Sequence, residues 1–260
     1  MDIAVIGASG DVGRAIATRL LGAGLLERHE RLQLVGRRGG DSERVLEGFT
    51  VDLLDAFAER APLIDVALEP SEIAADLIIM AAGRSVPMTP GAELRRDNLG
   101  RENAALFRMY AEALAAGGSG HELVVVVSNP VELGVAIFAG KLGRKRVFGM
   151  AAYLDSLRFR KEIARELRLS RSAVRGFMAG EHGDHLVPLW STVHVFGLDE
   201  EERRRVIERL RRGNRTADFV SRLVEVKRDL LERIARGEVR EALRYLDSQP
   251  PDIRVAAKPF

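Results

Sequence analysis

Apolar residues fall along this chain in two regimes. Up to about residue 150 they gather in short unbroken runs: "MDIAVI" (1–6), "RLQLV" (31–35), "LIDVAL" (63–68), "DLIIMAAG" (76–83), "ELVVVVSNP" (122–130) and "RVFGM" (146–150). Stretches of helical periodicity lie between them, including "GRAIATRLLGAGLL", "FTVDLLDAFAER" and a long segment over roughly 92–117 that ends in "AAGGSG". Near-continuous β-branched runs separated by helices predict parallel strands covered on both faces. The expectation for residues 1–150 is therefore an α/β, doubly wound parallel sheet. Beyond 150 the texture changes. "SLRFRKEIAREL" reads as a helix, "AVRGFMAG" (173–180) and "WSTVHVFG" (190–197) as strands, and 199–237 as charged helix. Residues 151–260 are expected to form a second, smaller α+β domain. The terminal "DSQPPDIRVAAKPF" predicts a turn and then an extended, apolar edge strand.

Composition narrows the function classes. The chain has 260 residues, and Lys+Arg 40 against Asp+Glu 38 leaves a net charge of +2, so neither sign dominates. "EERRRVIERLRRGNR" alternates sign at helical spacing and reads as a solvated helix face. Aromatics at 5% give no basic, aromatic-studded surface for nucleic acid. With no cysteine there is no disulfide, thiolate metal site or cysteine nucleophile. No apolar stretch reaches the ~18 residues of a membrane span, and the N-terminal pattern is not that of a signal peptide. A soluble cytoplasmic protein is the default expectation.

Two stretches carry chemistry. In "GASGDVG", Gly7, Gly10 and Gly13 follow the first strand and open a helix. Such glycines allow a tight turn, a close backbone approach to pyrophosphate and close helix–strand packing. Asp11 and Val12 fall in the same turn, where helix N–H groups attract phosphates. The second run ends in "LVGRRGGDS", with no acid at the strand tip to take ribose hydroxyls. Arg37 and Arg38 stand there instead, where a 2′-phosphate would lie, so NADP is favoured over NAD. The second stretch is "AGEHGDHLVPLW" (179–190), where an apolar run breaks at Glu181, His182, Gly183 and Asp184. Imidazole titrates near neutrality and is a natural proton donor and acceptor. Asp155 and Arg158, in "LDSLRFR", are three apart and share one helix face. Although His182, Asp184 and His185 are close in sequence, no HExxH-type pattern supports a metal site, and none is expected.

In the order "GASGDVG", "SNPVE", "LDSLRFR" and "GEHGDHLVPLW", residues 1 to about 197 resemble the lactate/malate dehydrogenases, closer to the malate-dehydrogenase-like branch with a G-x-x-G-x-x-G loop. The resemblance implies a Rossmann dinucleotide-binding domain over 1–150 and a substrate and catalytic domain over 151–260. It implies an oxidoreductase that moves hydride between NADP or NAD and a small 2-hydroxy or 2-keto acid. By resemblance His182 exchanges the proton, Asp155 bonds its imidazole, and Arg158 forks onto the substrate carboxylate. Asn129, in "VVSNPVE", matches an asparagine that contacts substrate and nicotinamide. "GRSVPMTPGAELRRDNLGRENAALF" resembles the active-site loop and the helix after it; anchored on Asn103, it puts Arg96, or Arg95 as the alternative, where the carbonyl is polarised. The position that separates malate from lactate substrates falls by counting at Pro90, so the substrate stays open between the two types. The family is expected to continue past Phe260, which makes the second domain C-terminally shortened, and to assemble as a homo-oligomer. The alternative is a dinucleotide-binding protein, or an inactive fragment of such a dehydrogenase, that binds cofactor without turnover.

Overall fold

In a computed structural model, residues 1–84, 96–182, 185–215 and 218–257 are described, with the side chains of 96–99 left aside. The chain divides into two compact units, Met1–Met150 and Ala151–Phe260. The first carries strands β1 (Ile3–Ile6), β2 (Arg31–Val35), β3 (Leu63–Ala67), β4 (Leu77–Met80), β5 (Leu123–Val126) and β6 (Val147–Gly149). They form one sheet in the order β3-β2-β1-β4-β5-β6. All of its pairings are parallel, with Ile3 opposite both Leu32 and Leu77. Helices α1 (Asp11–Gly22), α2 (Gly40–Ala56), α3 (Arg96–Gly117) and α4 (Val131–Leu142) make the crossovers. This is the doubly wound order with its switch point between β1 and β4, where such sheets bind ligands at their carboxyl ends. β1 is buried along its whole length. β3, at the sheet edge, is not: Leu63 is 62% exposed, so covering on both faces holds for the central strands and fails at the edge.

The second unit packs α5 (Ala151–Leu167) on an antiparallel pair, β7 (Val174–Ala179) and β8 (Val187–Val195). Val174 and Met178 of β7 alternate inward with period two. The β7–β8 register shifts between Arg175 and Phe177. The Thr192 hydroxyl serves the backbone at that irregularity, accepting from Phe177 N at 3.0 Å and donating to Leu189 O at 2.6 Å. Phe159 and Trp190 meet edge-on at 5.0 Å inside the core. The predicted helical stretch 199–237 is two helices, α6 (Glu200–Arg211) and α7 (Phe219–Ala235). Asp199 and Glu202 form a capping box that starts α6, and it stops at Arg212, whose φ of 51° is left-handed.

The C-terminal expectation needs correction. After α8 (Val239–Asp247), residues Pro251–Ala257 form helix α9 rather than an edge strand. Every residue of α9 is buried. A helix buried on all sides shows no polar stripe, so its sequence carries no helical period to read. Its backbone also bonds internally, beginning with Arg254 N to Pro250 O at 2.9 Å, where a lone strand would leave buried donors orphaned.

Asp252 on this helix accepts from Trp190 Nε1 at 3.0 Å and from Ile253 N at 2.9 Å. Burial nevertheless holds its carboxyl above the ordinary range, against those bonds. An acid whose folded pKa is raised contributes stability below its unfolded pKa, and that contribution is lost as pH rises through the folded one. Asp252→Asn is therefore expected to raise the melting temperature at neutral pH and to leave it unchanged near pH ~2, well below the ~3.9 of an unfolded aspartate, where the unfolded acid also holds its proton. Melting curves across that range check this; a variant no more stable than the native chain at neutral pH would contradict it.

Candidate active site

The glycine loop leaves β1 where the sheet changes direction. Gly7 has φ of +86°, and a Cβ there would stand 2.6 Å from the Ala82 backbone. At Gly13 a Cβ would sit 2.2 Å from Gly7 O, so α1 can lie against the loop only with glycine at that position. Gly10 is the N-cap of α1, and its N–H donates to Gly7 O at 3.0 Å. Asp11 and Val12 begin the helix, and Asp11 turns its carboxylate to Arg14 at 2.7 Å. The N–H groups of that first turn and the dipole end suit a phosphate.

Beside the loop lies a cavity of about 460 Å³ whose lining includes Gly7, Gly10, Gly36, Arg37, Ser42 and Tyr110. The carboxyl end of β2 supplies Gly36 and Arg37, and the bond between Ser42 and Ser9, 3.0 Å, ties α2 to the glycine loop. The two arginines predicted to act together separate here. Arg37 lines the cavity, while Arg38 is bound to Glu69 at 3.0 Å and Glu72 at 3.4 Å. Close backbone packing at Gly7 and Gly13, the helix N-terminus and this cavity fit the pyrophosphate and adenosine part of a dinucleotide.

Asn129, directly before Pro130 and α4, offers its carbonyl to Asn103 Nδ2 at 2.7 Å. Asn103 is fully buried in α3, and its amide also takes Arg84 N at 2.8 Å and reaches Arg84 O at 3.1 Å. It therefore ties together the chain after β4, α3 and the turn at Asn129. Sequence reading used Asn103 only as a counting anchor. Nothing local in the sequence marks it, because its partners at Arg84 and Asn129 lie 19 and 26 residues away. Arg96 opens α3, with its side chain outside the described residues; Arg95, Pro90, Gly183 and Asp184 lie outside them altogether.

In the second unit Asp155 sits in α5 with its side chain 2% exposed. One oxygen, Oδ2, accepts from His182 Nδ1 at 2.9 Å; the other, Oδ1, accepts from Arg158 Nη1 at 3.0 Å. A buried carboxylate needs such partners, because desolvation otherwise outweighs its charge. Helical spacing brings Arg158 to Asp155, one turn along the same face. Tertiary folding brings His182, 27 residues away, from the end of β7. Gly180 permits the turn: its φ is +89°, and a Cβ would stand 2.1 Å from His185 O. The arrangement holds an imidazole with one nitrogen bonded to a buried acid and a half-exposed guanidinium beside it. It can exchange a proton and bind an anion.

The chain was compared with known proteins. Residues 1–149 match the family model described as lactate/malate dehydrogenase, NAD binding domain. The malate dehydrogenase of Methanothermobacter marburgensis is 32% identical over 207 residues, covering 77% of this chain and 60% of that protein. The L-2-hydroxycarboxylate dehydrogenase (NAD(P)(+)) of Methanocaldococcus jannaschii is 33% identical over 205 residues, covering 76% and 62%. Among solved structures, the malate dehydrogenase of Aeropyrum pernix aligns with a TM-score of 0.64 at 26% identity, over 87% of this chain and 70% of that one. The minor L-lactate dehydrogenase of Enterococcus mundtii aligns with a TM-score of 0.62 at 29% identity, over 80% and 67%. The match thus spans about 60% of the length of the two relatives named first. With the parallel sheet order, the glycine loop on β1 and the family match across its first 149 residues, the chain belongs to the lactate/malate dehydrogenase family.

Proposed function

We propose that this protein is an oxidoreductase that transfers hydride between a nicotinamide cofactor and a small 2-hydroxy or 2-keto acid of the malate/oxaloacetate or lactate/pyruvate type. The observation that carries this reading is the Asp155 carboxylate shared by His182 and Arg158. A protein that only binds a dinucleotide needs none of the three. Residues 1–150 act as the dinucleotide-binding domain and 151–260 as the substrate domain. A bound nicotinamide supplies or accepts the hydride.

The chain's own residues do the rest. With Nδ1 committed to Asp155, His182 exchanges the proton of the substrate oxygen through Nε2, and Asp155 holds the ring in place for that exchange. Arg158 holds the substrate carboxylate by charge-assisted bonds, in a planar geometry lysine lacks. Arg96 polarises the carbonyl, and Asn129 positions substrate and cofactor. Backbone groups of Gly7, Gly10, Asp11, Val12 and Gly13 cradle the phosphates. NADP is favoured over NAD, and Arg37 in the cavity wall is the residue that supports this. The family resemblance adds a cytoplasmic homo-oligomer to the same reading.

The test is the loss of NADPH and NADH absorbance with oxaloacetate and with pyruvate. Turnover with either acid is the expected result, and the preferred acid identifies the substrate type. A faster rate with NADH than with NADPH would overturn the cofactor preference. Cofactor binding without turnover of either acid would favour the non-catalytic reading. Arg37→Ala is expected to weaken NADPH binding about tenfold, the loss of one charge-assisted contact, and to leave NADH binding unchanged. Equal weakening of both cofactors in a titration would remove Arg37 from that role.

A further inference from the structure

Two arginines follow β2, and the structure gives them different surroundings. The Arg37 backbone N–H donates to Ser42 Oγ at 3.2 Å, and the residue lines the cavity beside the glycine loop. Arg38 Nε donates to Glu69 Oε1 at 3.0 Å, and its Nη2 reaches Glu72 Oε1 at 3.4 Å. Neither acid is there by chance of a long side chain. Glu72 is anchored by its other oxygen, which accepts Leu68 N at 2.7 Å and Glu69 N at 3.1 Å. These backbone bonds hold its carboxyl below the ordinary range, so it stays charged beside Arg38. Glu69 and Glu72 share a capping box around the short helical turn Pro70–Glu72 that follows β3. The carboxyl end of β3 thus presents two fixed negative charges to the residue that would otherwise join Arg37 in binding a phosphate.

We propose that Glu69 and Glu72 are cofactor-specificity residues that hold Arg38 away from the cofactor's 2′ position, leaving Arg37 to read a 2′-phosphate by itself. The inference rests on the nicotinamide-binding role proposed above for residues 1–150. Its physical basis is competition. A guanidinium N–H bonded to a carboxylate is not available to a phosphate, and two nearby carboxylates repel the phosphate's own charge. Specificity is a difference of affinities, so holding back one attractive contact narrows the gap between NADPH and NADH without touching what they share. The clamp is solvent-exposed, with side-chain accessibilities of 59% for Arg38, 48% for Glu69 and 45% for Glu72. Water and salt screen such pairs, so the expected effect is several-fold and not a hundredfold.

Glu69→Gln tests this, because glutamine keeps a hydrogen-bonding side chain at the turn while removing the charge nearest Arg38, and Glu72 retains its backbone anchors. Equilibrium titrations following cofactor fluorescence are expected to show NADPH bound about fivefold more tightly by the variant, with NADH unchanged. In the double variant Glu69→Gln/Arg38→Ala the ratio of the two affinities is expected to return to the native value. An unchanged ratio in Glu69→Gln overturns the proposal. So does a gain that persists without Arg38, since removal of one negative charge would then be the whole effect. Failure of every variant, and of the native protein, to bind either cofactor would overturn the dinucleotide-binding reading and this inference with it.

Discussion

His182→Asn is expected to lower kcat by about 10²–10⁴ while cofactor affinity stays at the native value. The magnitude follows from what the substitution leaves. Asparagine can still donate to Asp155 from about the same place, so the buried carboxylate keeps a partner and the fold is retained. What disappears is an imidazole that can both donate and accept a proton, which no amide replaces. Arg158 remains on the other oxygen of Asp155, so substrate binding should change less than turnover, and the loss should appear in kcat more than in KM. Steady-state rates with the better of oxaloacetate and pyruvate, beside a cofactor titration, make the measurement. A variant within about threefold of native kcat would remove His182 from proton transfer, because acid–base groups contribute well above that.

Arg254→Ala is expected to destabilise the second unit by about 3 kcal/mol, the lower end of what breaking a buried ion pair costs. Arg254 is 1% exposed, the largest of the fully buried side chains among the described residues. Its Nε lies 3.1 Å from Glu162 Oε2 and its Nη2 lies 3.0 Å from Glu166 Oε2, both on α5. Nη1 donates to Asp247 O at 2.9 Å, at the end of α8. One side chain of α9 therefore joins two other helices. Truncation leaves Glu162, 3% exposed, inside the protein without its buried counter-ion. Arg165 stays 3.3 Å from the same carboxylate, which is why the lower end of the range applies. Denaturant unfolding followed by Trp190 fluorescence reports on this unit. Replacing both partners, Arg254→Met with Glu162→Met, is expected to recover most of the loss, since apolar groups of similar size need no pairing. A single variant within about 0.5 kcal/mol of native, the usual effect of a surface change, would show that the network contributes little.

Both expectations concern residues that a linear reading sees very differently. His182 stands out because a polar cluster interrupts an apolar run, and Asp155 and Arg158 because i,i+3 spacing on a helix has a definite geometric meaning. Arg254, in "PDIRVAAKPF", looks like one more surface arginine in a chain rich in them, at the end of a segment read as strand. Nothing local marks it as buried. The same holds for Arg38, which next to Arg37 in "GRRGG" reads as half of a phosphate site until Glu69, 31 residues on, is placed against it. Helix α4 shows no helical period either, because its apolar residues continue the run of β5 across Pro130.

The six strands of the first 150 residues, the glycine loop on β1 and the chemical types at 155, 158 and 182 were determined by the sequence alone. Each rests on a local rule: glycine where a Cβ has no room, apolar runs where strands are covered on both faces, and periodic spacing where side chains share a helix face. Tertiary structure alone decided that one carboxylate of Asp155 serves both His182 and Arg158, that Arg38 answers to Glu69 and Glu72, and that the last described segment is a buried helix. Those outcomes depend on partners far apart in the chain, and burial or pairing of a charge is settled by the groups that folding brings against it.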